Sequence, residues 1–292
     1  MENKSTEPLV YIVLVNYNGY RDTVSCLQSL EKIRYSNYRI ILVDNCSADR
    51  DKITADPYIS SRARVILAPA NDGFSSGNNY GIREALQDGA EYVLLLNNDT
   101  EVTSDFLNIL VETAQSDPAI GITTGNIYYH SKPDTLWYCA GAYDRHRGTT
   151  QMCTKNTQTG TEEVSFVCGC LMLLRAEMLN RIGLLEEDFF LYSEDTELCC
   201  RAQDAGWKLV WNGSAAIYHK VSTSTGENSP LQQYYLIRNN LYMAKEYCEK
   251  PAFCYARRFL HSCKEILRGR YHLKPLLRAY QDFSRGIKGK SF

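Results

Sequence analysis

The residues of this chain best suited to chemistry lie where apolar runs stop abruptly on polar side chains. Residues 94–102, LLLNNDTEV, end three leucines on Asn97, Asn98 and Asp99. Leu94–Leu96 reads as a strand buried on both faces of a parallel sheet. Polar residues at the carboxyl end of such a strand face the crevice where open α/β sheets bind ligands. A carboxylate there is placed to hold a divalent cation against a diphosphate. The competing reading is a turn capping the helix that starts near Ser104.

The same signal recurs at VNYNG (15–19), VDNCS (43–47) and NDGFSSGNN (71–79). Four polar tips converging on one sheet edge would build a cleft of nucleotide size. Asp44 is an acceptor for a base or ribose donor, or closes an Asx-turn with Ser47. Gly73 and Gly77 let backbone approach a ligand, or serve ordinary turns; the chain has neither GxxxxGK nor GxGxxG at this place. Further on, Glu194 and Asp195 open a helix after the aromatic run FFLY. A helix N-terminus favours an ionised carboxylate, which suits a general base, and Ser193, Glu194 and Asp195 are equally good capping residues. His219 ends the strand AAIYH ahead of the polar loop STSTGENS, where it is either structural or within reach of a metal. Tyr234 and Arg238 stand four apart on one helical face, toward a diphosphate or toward solvent.

These residues need a scaffold, and the first half supplies a βαβ rhythm. Strands are expected at Tyr11–Tyr17, Arg39–Val43, Arg64–Leu67 and Tyr92–Leu96, with helices at Arg21–Ile33 (capped by Asp22 or Thr23), at Ser76–Gln87 and around Leu107–Ala114. That alternation predicts an α/β fold with a doubly wound, mostly parallel sheet. Residues 120–175 are rich in Tyr, Thr, Gly and Cys, and their runs Ile120–Tyr129 and Val164–Leu174 suggest a smaller mixed or antiparallel extension. A helix at Glu194–Ala205, a strand at Lys208–Trp211 and helices over 231–248, 252–268 and 273–285 complete the pattern.

With 292 residues the chain can bury a large core. A net charge of −2 excludes general nucleic-acid binding, but the charge is segregated. Residues 250–292 carry 11 Lys+Arg and two acids, leaving −11 on 1–249. The apolar patch Leu9–Val15 follows Glu2 and Glu7 and reads as a first strand, not a signal peptide. No apolar run reaches the roughly 20 residues of a spanning helix. Eleven cysteines without a CxxC pair read as reduced, packed thiols.

Taken in order, VNYNG, VDNCS, NDGFSSGNNYG, LLLNND, FVCGCLMLLR, FLYSEDTELCCRAQDAGW, YHKVSTSTG and YYLIRNN resemble the family 2 glycosyltransferases of the GT-A fold, especially the bacterial rhamnosyltransferase-like branch. The likeness runs from Val10 to Tyr247. It implies a GT-A domain over 1–249, with a nucleotide-sugar half at about 8–118 and an acceptor half at about 119–249, followed by a basic helical extension over 250–292. It implies that Asp44 contacts a pyrimidine base, that Asp99 binds metal and diphosphate with His219 as a further metal ligand, and that Asp195 is the catalytic base. Val15, Asn16, Tyr17, Asn71, Gly73, Phe74, Asn78, Asn97, Asn98 and Arg238 would line the nucleotide-sugar site with Asp44. Cys168, Gly169 and Glu194 would face the acceptor. One departure stands out: the metal motif reads Asn97-Asn98-Asp99, so its first carboxylate is missing. Mostly oxygen ligands argue for Mg²⁺ or Mn²⁺, the His tilting toward Mn²⁺.

The activity so implied is inverting transfer of a sugar from a UDP- or dTDP-sugar to the hydroxyl of a glycan or lipid-linked acceptor, in cell-surface polysaccharide synthesis. A loop at 220–229 would close over the donor. A nucleotidyltransferase or a non-catalytic nucleotide-sugar-binding protein are the alternatives. The expected location is cytoplasmic, with residues 250–292 either packed on the catalytic domain or touching the inner membrane face. A homo-oligomer is compatible with the sequence.

Overall fold

The computed structural model describes residues 7–153, 159–221 and 229–291. The chain begins β1 (Val10–Asn16), α1 (Tyr20–Leu30), β2 (Tyr38–Asp44), α2 (Arg50–Ala55), α3 (Pro57–Arg62), β3 (Arg64–Leu67), α4 (Gly73–Gln87) and β4 (Tyr92–Asn97). It continues through β5 (Thr100–Val102), α5 (Phe106–Gln115), β6 (Ile120–Tyr129), β7 (Lys132–Tyr138), β8 (Ala140–Asp144), β9 (Thr149–Cys153) and β10 (Thr161–Val164). It ends with β11 (Leu171–Arg175), α6 (Ala176–Ile182), α7 (Glu194–Asp204), β12 (Lys208–His219), α8 (Pro230–Tyr247), α9 (Pro251–Leu267) and α10 (Leu273–Ser284).

The expected α/β architecture is present. β4, β1, β2 and β3 lie side by side and parallel. β11 enters antiparallel between β4 and β6, so the mixed strands extend the parallel sheet instead of forming a separate one. Among the described residues only β8 and β9 stand apart, as a two-stranded ribbon. The sequences VYIVLVN and YVLLLN suit a central position. Their β-branched and leucine side chains are buried on both faces, and each such residue contributes about 1.5–3 kcal/mol of burial. α4 lies against β1 and β2. A Cβ added at Gly77 would come within 2.9 Å of Val15, and one at Gly81 within 2.5 Å of Val13. Gly77 therefore serves close helix–strand packing, not approach to a ligand.

Several boundaries differ from expectation, α4 for instance starting at Gly73 instead of Ser76 and α1 ending at Leu30 instead of Ile33, and two have local reasons. α1 is capped by Gly19, because Thr23 turns its hydroxyl back to the Gly19 carbonyl and to Asn16. β12 runs on past Trp211 to His219, although Asn212-Gly213-Ser214 reads as a turn. The strand absorbs those residues in a register shift whose polar groups are bonded: Asn212 donates to Thr113, and Asn126 donates to the Gly213 carbonyl.

The main core follows the large sheet. A second cluster joins Phe190 to Tyr234, Tyr235, Ile237 and Leu241 of α8 and to Leu276 and Ala279 of α10. Among the described residues no helix is long and apolar enough to cross a membrane. The expected donor-closing loop falls mainly on 222–228, outside the described residues.

Candidate active site

Parallel pairing sets the first part of the site. Asn16 is in register with Asp44, and Val15 with Asn97, so the tips of β1, β2 and β4 end together. Asn16 organises them. Its amide nitrogen donates to Asp44 Oδ1 (2.8 Å) and Ser47 Oγ (3.0 Å). Its oxygen accepts from Gly19 N, Thr23 Oγ1 and Asn98 Nδ2. Asp44 is 0% exposed, and its second oxygen accepts from Ser47 N at 3.1 Å and pairs with Arg50. The Asx-turn with Ser47 is thus formed, and the carboxylate forms the floor of the cleft, not its open surface. Asn98 likewise points back to Asn16 and Thr23. Asn97 remains partly exposed, and Tyr17 stands out at 44% exposure.

The NDGF loop closes the next side. Asn71 Oδ1 accepts from Gly73 N and Asn45 Nδ2. Gly73 has φ +97, and a Cβ there would fall 2.0 Å from the Phe190 carbonyl oxygen. Glycine is therefore required, and Phe74 N donates to that same carbonyl at 2.8 Å. Asn78 is buried and caps back to the Phe74 carbonyl. Asn45, which the sequence did not mark, has a buried side-chain oxygen without a hydrogen-bond partner.

Asp99 and His219 meet across β5 and β12. His219 Nε2 lies 3.0 Å from Asp99 Oδ1, Lys220 N donates to the Asp99 carbonyl, and Trp137 packs edge-on against the imidazole. Both side chains are buried, and His219 Nδ1 has no hydrogen-bond partner.

Asp195 opens α7 beside the Cys168–Cys170 loop. Gly169 N donates to Asp195 Oδ2 at 3.2 Å, and Thr196 N to Oδ1 at 2.7 Å. Cys170 O in turn accepts from Asn97 N, so one short loop links Asp195 to the Asn97-Asn98-Asp99 tip. Phe74 lies against Gly169 at this junction. Burial raises the Asp195 carboxyl, opposed by its backbone hydrogen bonds. Burial, then the charge of Asp195, pushes Glu194 well above the usual carboxylate range, and Glu194 Oε2 is buried without a partner. Burial thus raises both adjacent carboxyls, and the hydrogen bonds from Gly169 and Thr196 that oppose it act on Asp195. Burial also pushes the Cys168 thiol up, so it packs as a neutral group.

The segment before Asp195 is strained. Phe190, Tyr192 and Ser193 have φ of 63, 68 and 74, a conformation that side-chain-bearing residues hold only when the surroundings impose it. The imposing group is Asn239. Its amide donates to the carbonyls of Phe189 (2.9 Å), Leu191 (2.8 Å) and Tyr192 (2.8 Å).

Arg238 requires a correction. It is 0% exposed, and its guanidinium is engaged by the carbonyls of Phe189 and Gly289, by Ser291, Tyr234 and Asn239. Buried with its donors satisfied, it ties α8 to the carboxyl-terminal segment and does not face the donor cleft. Lys290 on that segment reaches the Asn71 carbonyl at 3.0 Å. Asn239 and Lys290 were not read from the sequence. The available signal for Asn239 was a polar pair inside the otherwise apolar helix YYLIRNNLYM.

Polar tips at the carboxyl edge of parallel strands, with one carboxylate at a strand tip and another opening a helix beside it, suit a nucleotide-dependent transferase. The structure of GalNAc-T7 with UDP, GalNAc and Mn²⁺ superposes with a TM-score of 0.70 at 16% identity, over 96% of this chain and 55% of that one, which establishes the GT-A glycosyltransferase fold. The model of glycosyl transferase family 2 matches residues 11–183, and the chain belongs to that family. The uncharacterized glycosyltransferase EpsJ of Bacillus subtilis is 26% identical over 263 residues, 89% of this chain and 74% of its own length. The N-acetylglucosaminyl-diphospho-decaprenol L-rhamnosyltransferase of Mycobacterium tuberculosis is 24% identical over 241 residues, 74% of this chain and 78% of its own. This chain spans from 28% to 78% of the length of several curated relatives that it matches.

Proposed function

We propose that this chain is an inverting glycosyltransferase moving a sugar from a UDP- or dTDP-sugar to an acceptor hydroxyl in cell-surface glycan synthesis. The observation that carries the reading is the loop 168–170, which holds Asp195 on one side and the Asn97-Asn98-Asp99 strand tip on the other. In this reading Asp195 removes the acceptor proton as that oxygen attacks the anomeric carbon, and the bond from that carbon to the diphosphate oxygen breaks on the opposite face. Proton removal of this kind contributes about 10²–10⁴-fold in rate. Gly169 N and Thr196 N keep the carboxylate aimed. Cys168 and Gly169 form the acceptor wall, with Phe74 beside them.

Val15, Asn16, Tyr17, Asn71, Gly73, Phe74, Asn78, Asn97 and Asn98 are assigned to the donor side, with Asp44 organising its floor. Asp99 and His219 fit a divalent cation: an oxygen and a nitrogen donor meet at two strand ends, and the imidazole's other nitrogen is unpartnered. Among the described residues no three His, Cys, Asp or Glu groups form a cage, so a cation there would draw its remaining ligands from diphosphate and water. Bound, it would neutralise charge on the departing diphosphate. The GT-A neighbours support a cation, since GalNAc-T7 and the mannosyltransferase PcManGT are described with Mn²⁺. The rhamnosyltransferase relative's name supports a lipid-linked acceptor.

The test is incubation with UDP-, dTDP- and GDP-sugars and Mg²⁺ or Mn²⁺, reading nucleoside diphosphate release and the anomeric configuration of the product. Release from one donor with inversion is the expected result. Retention of configuration, or no release with any donor and lipid-linked acceptor, overturns the reading.

A further inference from the structure

Among the described residues ten large hydrophobic side chains are exposed, and seven of them lie between Phe253 and Ile287. They are concentrated on the outer faces of α9 and α10. Along α9, Phe253, Arg257, Leu260, Lys264 and Leu267 recur at steps of four and three, which places them on one helical face. That face is open: Leu260 is 68% exposed and Leu267 89%. The opposite, inward face buries Cys254, Ser262 and Glu265, with Tyr255, Cys263 and Ile266 partly buried against the second cluster. α9 therefore presents large apolar side chains on its outer face in addition to those it packs inward. α10 adds Leu273 and Leu277, exposed at 56% and 55%, beside Lys274.

Charge singles out the partner. Residues 250–292 hold 11 Lys+Arg and two acids, and both acids, Glu265 and Asp282, are buried. Glu265 is paired with Arg268 and Arg270, and Asp282 accepts from Tyr234. Among its described residues this segment thus exposes cations and large apolar side chains with no exposed carboxylate side chain. Two copies meeting through it would set like charges face to face. A nucleic acid would leave the leucines without a role. An anionic lipid surface satisfies both: the apolar side chains enter the acyl boundary, while Lys and Arg stems lie along it with their heads at the phosphates.

We propose that the outer face of α9 and α10 docks this protein on an anionic membrane surface. The surface adjoins the candidate cleft, because six residues beyond α10 Lys290 donates to the Asn71 carbonyl of the donor loop. The docking rests on the glycosyltransferase reading only for its purpose, which is to bring the cleft to a lipid-linked acceptor.

Co-sedimentation of the full chain with vesicles, without donor, tests it. Binding to phosphatidylcholine vesicles should require added phosphatidylglycerol and fall as salt rises. Lys264→Gln and Lys274→Gln should each weaken binding about five-fold. Leu260→Ser with Leu267→Ser should weaken it on the order of tenfold or more, and these exposed sites leave the fold intact by circular dichroism. Equal binding to neutral vesicles, no binding to anionic vesicles at low salt, or unchanged binding by the leucine pair overturns the proposal. So does a dimer in solution that the leucine pair dissociates, or binding of the full chain to nucleic acid that the leucine pair leaves unchanged. Nucleoside diphosphate release with a water-soluble acceptor, measured on the same variants, reads the catalytic assignment separately.

Discussion

At the scale of single residues, the two adjacent carboxyls at the start of α7 have opposite assignments. Asp195 accepts two backbone N–H groups and stays partly exposed, while Glu194 is buried with an unpartnered oxygen. Asp195→Asn keeps the shape but cannot take a proton. Turnover should fall about 10²–10⁴-fold with little change in the donor Kd measured by calorimetry; retained turnover would move the base elsewhere. Glu194 makes a separate statement about stability. Its folded-state pKa is raised above the ordinary 4.5 by burial and by Asp195, so its contribution is full below that value and is lost as pH rises toward the folded pKa. Glu194→Gln should therefore match wild type in Tm at acidic pH and exceed it at neutral and higher pH. An unchanged Tm difference across that range would refute a protonated Glu194. For the cation, Asp99→Ala should weaken nucleoside diphosphate binding and abolish its dependence on Mn²⁺, with His219→Ala a milder case. Wild-type turnover unaffected by EDTA is the result that removes the metal assignment.

At the scale of elements, the segment 189–193 is held by α8 and not by its own preferences. Asn239 spans three carbonyls of a segment with three residues at positive φ, and each hydrogen bond contributes about 0.5–1.5 kcal/mol. Asn239→Leu removes all three while keeping a side chain of comparable size. The strained residues should relax and carry Asp195 out of position. The expected outcome is a kcat loss larger than any rise in donor KM, with a lowered Tm. A stability loss with normal kcat would make Asn239 a structural residue only. The same segment accepts Phe74 N through the Phe190 carbonyl, so the loop proposed to hold the donor and the proposed base are positioned by one piece of backbone.

At the scale of the whole molecule, the carboxyl-terminal segment closes a circuit. Gly289 and Ser291 satisfy the buried Arg238, Lys288 pairs with Asp188 at 2.9 Å, and Lys290 holds Asn71. Removing residues 286–292 leaves Arg238 short of partners in a buried place, a cost of about 1–3 kcal/mol. At about 2–4 °C for each kcal/mol in a chain of this class, Tm should drop by several degrees, and donor affinity should fall as the Asn71 loop loosens. Thermal melting and calorimetry on the truncated chain check both, and an unchanged melt would show that the segment is dispensable.

What the sequence determined by itself is the run of strands and helices in its first half and the residue types at the strand ends. Continuous apolar runs such as YIVLV and YVLLL admit only a doubly buried strand, and a chain that ends several of them on Asn or Asp places those groups together once the strands pair in parallel. The longer helices also follow from spacing, while the short α2, α3 and α6 were not read from it, and the boundaries of β3 and β6 match the expected runs. Direction was not legible. Arg238 and Asn239 are neighbours in YYLIRNN, yet whether they face ligand, solvent or another loop depends on where α8 lands, and it lands on 189–193. Asp44 has the same strand-end position as Asp99, but Asn16, Ser47 and Arg50 enclose it while Asp99 meets His219, 120 positions away in the sequence. Those outcomes depend on contacts between distant segments, which pattern and spacing along one strand or helix do not encode. The outer face of α9 shows the same division: its alternation of apolar and basic residues is in the sequence, and only the packed structure shows that this face is left exposed.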